Sequence, residues 1–282
     1  MRERLCFFAV GFLLVCRLMN KWTTSGIRAL KGKQKVVCLT AYDYSTARVV
    51  DEAGIQLVLV GDSLAMTMLG YPTTLPVTME EMLHHVAAVA RGVKSALVVA
   101  DMPFMSFQVS VEQAIQNAGR FIKEAGAGAV KIEGGAVRVP TVRALVENGI
   151  PVLGHIGLTP QSIHEMGGYK VQGKKTGEAK GLVNDAKALE KAGVFAIVLE
   201  CVPSALGAEI TAAVGVPTVG IGAGKNCDGQ ILVAHDLLGL YSDITPKFAK
   251  PYARLGVEMK KAFEAYKREV ETGVFPDKEH SY

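Results

Sequence analysis

Short apolar runs recur along this chain, and most close on a glycine, an acid or a turn residue. Val36–Thr40, Ile55–Val60, Leu97–Ala100, Ala129–Ile132, Pro151–His155, Phe195–Leu199, Pro217–Val219 and Gln230–Val233 read as eight strands. They are crowded with β-branched residues and apolar on both faces, as strands of a buried parallel sheet are. Between them lie segments of helical periodicity. Ile27–Lys31 is a short turn of helix; longer helices are expected over Tyr44–Ala53, Met79–Lys94, Val111–Ala125, Val137–Asn148, Leu182–Lys191, Ala205–Val214 and Leu255–Glu271. Glycines at 54, 126 and 149 stand where helix ends need them. Gly61–Thr78 is expected to be loop. Ile156–Lys175, glycine-rich and long for a βα connection, reads as a lid.

Eight strand–helix units in 282 residues argue for a closed (β/α)8 TIM barrel. No Pro/Ser-rich linker or charge block interrupts residues 19–282, which are read as one barrel catalytic domain. Residues 1–18 form an N-terminal apolar extension in which Arg2 and Arg4 precede Leu5–Cys16, like a signal-peptide core without a good cleavage site. The favoured expectation is an upstream extension of a cytoplasmic enzyme whose ordinary start is Met19. A membrane-tethered binding protein is the competing one.

Composition narrows the partners. Hydrophobic residues make up 49% of the chain, enough for a substantial core, and the net charge of +4 is dispersed without a basic stripe, so nucleic acid is not expected. Five cysteines without CxxC spacing suit a reducing compartment.

The chemistry lies where the strands end. Asp62, Asp101, Glu133 and Glu200 each follow an apolar run, at the place where barrel enzymes keep their catalytic groups. Asp62, Asp101 and Glu133 follow strands two, three and four, near enough to share one ion, and all-oxygen ligands suit Mg2+. Lys131 lies two residues before Glu133 and so points to the same side, where it would bind an anion. A lone strand-end aspartate is more often a helix cap; three in register beside a lysine reverse that preference. Ser63 is read equally as a cap or as a ligand donor. Glu200 is either a lysine's structural partner or a general base. His155 is expected to be internally hydrogen-bonded rather than a metal ligand, Cys201 to be a structural thiol, and the cluster Gly220-Ile-Gly-Ala-Gly224 to be a weak anion signal.

Long motifs then make the chain similar to a known family. Leu39-Thr-Ala-Tyr-Asp43, Val60-Gly-Asp-Ser-Leu-Ala-Met66, Thr74-Leu-Pro-Val-Thr78, Ala100-Asp-Met-Pro-Phe104, Val130-Lys-Ile-Glu-Gly134, Gly154-His-Ile-Gly-Leu-Thr-Pro-Gln161, Gly167-Gly-Tyr-Lys-Val-Gln-Gly173 and Cys227-Asp-Gly-Gln230 together resemble ketopantoate hydroxymethyltransferase, over about Ile27–Glu271. The resemblance implies a barrel of the phosphoenolpyruvate/pyruvate type. It implies Mg2+ on Asp62, Asp101 and Glu133; keto-acid contacts from Asp62, Ser63, Asp101 and Lys131; and Glu200 as proton acceptor. It implies hydroxymethyl transfer from 5,10-methylenetetrahydrofolate to 3-methyl-2-oxobutanoate, giving 2-dehydropantoate, in a cytoplasmic homo-oligomer, often a decamer, with no stable membrane association. Met105 and Phe107 stand where relatives commonly have Gly and Tyr. The folate has no motif; its expected place is the mouth around Ile156–Lys175. A carbon–phosphorus or carbon–carbon lyase of the same barrel type is the rival enzyme class, but the lyases' Lys-Lys-Cys-Gly-His segment is missing.

Overall fold

The computed structural model describes residues 21–240 and 246–282; the expectation for residues 1–18 lies outside them. Eight parallel strands form a closed barrel in chain order: β1 Val36–Thr40, β2 Leu57–Val60, β3 Leu97–Asp101, β4 Ala129–Glu133, β5 Val152–Gly157, β6 Ala196–Glu200, β7 Thr218–Ile221 and β8 Gly229–Leu232. Strands β2 to β5 are buried along their whole length. Covered on both faces, they carry the continuous apolar runs seen in the sequence.

The helices follow as α1 Thr24–Arg28, α2 Tyr44–Glu52, α3 Leu64–Thr67, α4 Met79–Gly92, α5 Val111–Lys123, α6 Val139–Glu147, α7 Ile163–Met166, α8 Thr176–Ala192, α9 Ser204–Ala213, α10 Ala234–Leu238 and α11 Leu255–Thr272. Local chemistry fixes where several begin. At α4, Thr78 accepts from the Glu81 N–H while the Glu81 carboxylate accepts from the Thr78 N–H, a reciprocal capping box. Asp43 and Ser110 cap α2 and α5. The chain divides into two compact units, one ending at Ile231 and one spanning Leu232–Tyr282.

Two stretches hold more structure than expected. The loop Gly61–Thr78 contains α3, and the lid segment contains the end of β5, a 3-10 turn at Pro160–Ser162 and α7. Helix α8 starts at Thr176, six residues before the expected Leu182. No helix among the described residues is long and apolar enough to cross a membrane.

For the site, the register is what matters. It sets Asp101 beside Lys131, Glu133 beside His155, and Gly157 beside Glu200. Parallel neighbours in register share a face, so these side chains meet at one end of the barrel.

Candidate active site

The buried centre is Lys131. Its Nζ donates to both Asp101 oxygens at 2.6 Å and lies 3.4 Å from Glu133 Oε1. Asp101 Oδ2 also accepts the Asp62 backbone N–H at 3.1 Å. Asp62, Asp101, Lys131 and Glu133 are all at most 4% exposed. The predicted acids and lysine are thus brought together, but they turn to Lys131 and its neighbours: among the described residues no three carboxylate, thiol or imidazole groups are gathered in ligating geometry.

Four residues that sequence reasoning did not assign to the site, Gln161, Gln108, Tyr42 and His155, complete it. Gln161, in the 3-10 turn, donates its side-chain amide to Asp62 Oδ2 at 3.0 Å and to the Met102 carbonyl at 2.9 Å, while its backbone N–H donates to Glu133 Oε2 at 3.0 Å. Gln108 in turn donates to the Gln161 side-chain oxygen. Tyr42, buried, shares a 2.8 Å hydrogen bond with Ser63 Oγ. Ser63 occupies the cap position of α3 but makes no cap bond, so its hydroxyl is committed to Tyr42. His155 lies between two acids, with Nδ1 3.2 Å from Glu133 and Nε2 3.2 Å from Glu200, neither N–H well aligned for a full hydrogen bond. His155 is thus flanked by two acids without the hydrogen bonds expected of it, and Glu200 faces this imidazole rather than a lysine. The Glu200 side chain is 16% exposed, more open than Asp101, Lys131 or Glu133.

Burial and charge compete across this cluster. Desolvation, with Asp101 and Glu133 nearby, lifts the Asp62 carboxyl well above its ordinary value, and burial lifts Asp101 against the pull of Lys131. Burial opposes ionisation of Glu133, yet Lys131 and His155 hold it down at about 2. Burial and Lys131 pull His155 down, but pairing with Glu133 and Glu200 carries it up to about 9. Desolvation disfavours the Lys131 ammonium, and the surrounding carboxylates more than restore it. With Asp62 ionised, four carboxylates face two cations, leaving an excess of two negative charges in a largely dry pocket. Hard oxygen donors carrying that excess fit a small dication.

The other sequence signals resolve structurally. Cys201 sits just past β6 at φ +47°, and burial, with Glu200 adjacent, pushes its thiol up to about 12, so it is no thiolate nucleophile. In the glycine cluster, a Cβ at Gly224 would lie 2.1 Å from Ser204 Oγ, and one at Gly220 3.0 Å from Cys227 Sγ, so close packing accounts for both. Met105 takes φ +65°, a left-handed conformation more natural to glycine than to a residue with a side chain.

The family model described as ketopantoate hydroxymethyltransferase matches residues 21–278. The chain is 58% identical over 264 residues to the 3-methyl-2-oxobutanoate hydroxymethyltransferase of Clostridium novyi, covering 94% of this chain and 96% of that one. It is 55% identical to the enzyme of the same name from Syntrophus aciditrophicus, covering 93% and 97%. Among solved structures it resembles 2,3-dimethylmalate lyase, a PEP mutase/isocitrate lyase superfamily member, with a TM-score of 0.61, 19% identity and coverage of 93% and 89%. It also resembles phosphonopyruvate hydrolase, with a TM-score of 0.61, 14% identity and coverage of 89% and 88%. These two likenesses establish a shared barrel.

Proposed function

This chain belongs to the ketopantoate hydroxymethyltransferase family, and from that premise we propose how its barrel-mouth cluster performs the reaction. The activity is that of a 3-methyl-2-oxobutanoate hydroxymethyltransferase of pantothenate biosynthesis, with 5,10-methylenetetrahydrofolate as the one-carbon donor. In our reading Asp62, Asp101 and Glu133 would hold one Mg2+. Bound there, the ion supplies Lewis-acid stabilisation for charge developing on the substrate's 2-oxo oxygen. Occupancy requires Asp62 to ionise and Asp101 to share its oxygens with Lys131.

Lys131 takes the keto-acid carboxylate, and Asp62, Ser63 and Asp101 are further contacts to the keto acid, with Tyr42 fixing the Ser63 hydroxyl. Glu200 takes the C3 proton. The C3 electron pair then forms the bond to the folate-borne methylene as the first of its two C–N bonds breaks. Water displaces the second folate nitrogen and leaves its oxygen as the hydroxyl of 2-dehydropantoate, while the proton taken by Glu200 and the one released by water pass to the two nitrogens of tetrahydrofolate. His155, 3.2 Å from Glu200, holds that carboxylate beside the cluster.

The observation that carries this reading is the buried excess of carboxylate charge around Lys131, with the more open Glu200 one imidazole away. We further propose a cytoplasmic homo-oligomer, decameric as the family resemblance implies, with 19–282 as the catalytic domain. The free thiols Cys38, Cys201 and Cys227 support a reducing compartment.

The test is a coupled assay of hydroxymethyl transfer with and without EDTA, joined to exchange of the C3 proton into D2O. Glu133→Gln and Asp101→Asn are expected to lose Mg2+ affinity and activity with the fold retained; normal Mg2+ binding in either contradicts the ligand set. Glu200→Gln is expected to bind keto acid and to slow exchange at least 100-fold. Unchanged exchange removes Glu200 as the base.

A further inference from the structure

Beside the cluster, at the ends of β4 and β5, lies a cleft of about 270 Å3 that the chemistry above does not use. Its walls include Gly134, Gly135, Gly157, Gly173 and Gly181, and it also meets Asp185 of α8. Gly134 follows Glu133, and Gly157 is the register partner of Glu200, so the cleft lies next along the chain and the sheet to two of the reacting groups, although none of their side chains lines it. Backbone-walled slots of this kind admit flat rings. The volume lies just below the usual range of small-molecule pockets, room for a bicyclic head but not for a whole folate.

Asp185 is positioned to read such a head. Its Oδ1 accepts the Ala136 N–H at 2.8 Å, which anchors the carboxylate, and among the described residues Oδ2 has no hydrogen-bond partner. A Cβ at Gly135 would lie 2.1 Å from the Asp185 carboxyl carbon, so the carboxylate seats against backbone only because residue 135 is glycine. At the rim, Lys174 follows Gly173 and Lys180 precedes Gly181; both are exposed, and no carboxylate among the described residues lies within ion-pair range of either.

We propose that this cleft seats the pterin of the folate donor, with Asp185 accepting from its N3–H and 2-amino edge, while the anionic γ-glutamate tail runs out along Lys174 and Lys180. A pterin's amino-pyrimidine edge presents two parallel N–H groups, the pattern that a carboxylate accepts in bidentate fashion. The tail carries one carboxylate per glutamate, so exposed lysines add affinity that grows with tail length and falls with salt. The assignment rests on the folate-dependent reading given above.

Titration calorimetry with 5-formyltetrahydrofolate, as the monoglutamate and the pentaglutamate, tests it on the whole protein. Asp185→Asn keeps an oxygen for the Ala136 N–H and loses the acceptor for the pterin edge; monoglutamate affinity is expected to fall at least tenfold with the thermal melt unchanged. Gly181→Leu is the second variant. A Cβ there meets nothing within 4 Å and leucine is the better helix former, so the helix keeps its fold while the side chain fills the cleft and binding is lost. The wild type is expected to bind the pentaglutamate several-fold more tightly at low salt, and Lys174→Glu/Lys180→Glu to abolish that difference.

Wild-type affinity in both Asp185→Asn and Gly181→Leu overturns the pterin seat, and equal affinity for the two tails in the wild type overturns the lysine track. The C3 exchange of the keto acid needs no folate. Its failure in the wild type would sink the reaction chemistry proposed above, while intact exchange with unaltered folate binding in the variants would sink the cleft alone.

Discussion

At the residue scale, the site divides into groups that announce themselves and groups that do not. Asp62, Asp101, Lys131, Glu133 and Glu200 are legible because an acid or a lysine ending an apolar run is costly to bury without purpose. Gln161, His155 and Tyr42 are not. Gln161 reaches Asp62 across 99 positions, a closure that only the folded barrel supplies. Because Gln161→Leu removes the side-chain amide that orients the proposed ligand Asp62 while keeping the backbone N–H to Glu133, it is expected to weaken Mg2+ binding 10- to 100-fold, the scale typical of groups that orient metal ligands. Calorimetric titration with Mg2+ checks this, and unaltered affinity would reduce Gln161 to a packing residue. A different residue governs pH. Burial lifts the Asp236 carboxyl from 3.8 to about 6. A carboxyl with a raised folded-state pKa favours the fold while protonated, an advantage complete below about pH 3.8 and lost as the pH rises through about 6. Asp236→Asn should therefore stabilise the protein near pH 7.5 by about 1 kcal/mol, after discounting for its half-exposed position. The gain should shrink as melts are repeated toward pH 4.5.

At the element scale, strands and longer helices follow from pattern, while the short pieces between them do not. Helix α3 is only four residues long and lies among glycine, proline and threonine, with too little periodicity to register. The first turn and a half of α8 was hidden by Gly177 and Gly181, each costing about 1 kcal/mol of helix propensity against alanine. Tertiary packing overrides that cost, and at Gly181 it leaves a gap where a side chain would stand in the cleft. Elsewhere a glycine is needed for contact. At the end of α4, a Cβ on Gly92 would lie 2.7 Å from the Tyr44 carbonyl oxygen and 3.1 Å from Ala47 Cβ, so α2 and α4 pack through the missing side chain. Gly92→Ala gains helix propensity but forces the two helices apart. The overpacking wins, and a loss of about 1–2 kcal/mol is expected in chemical denaturation. A neutral or stabilising result would mean that α2 shifts freely.

At the scale of the whole molecule, α11 is the unfinished part. Its 18 residues include no buried one. Leu255, Met259, Phe263, Tyr266 and Val270 recur at spacings of three and four, forming one apolar stripe, and remain 38–63% exposed. The opposite chemistry is present in the pairs Lys260–Glu264, Lys261–Glu258 and Lys267–Glu271. Such exposed pairs contribute little to stability, whereas covering each half-exposed apolar side chain is worth about 1 kcal/mol. Within the unit Leu232–Tyr282 this stripe is left uncovered, and a second copy of the chain is the cover that the proposed homo-oligomer would supply. Phe263→Glu/Tyr266→Glu places two charges at the centre of the stripe, where burial would leave them unpaired. Sedimentation velocity should show the wild type as a single large assembly and the double variant as a smaller species with an unaltered circular dichroism spectrum. A monomeric wild type would remove the oligomer, and an unchanged assembly in the variant would move the interface off α11.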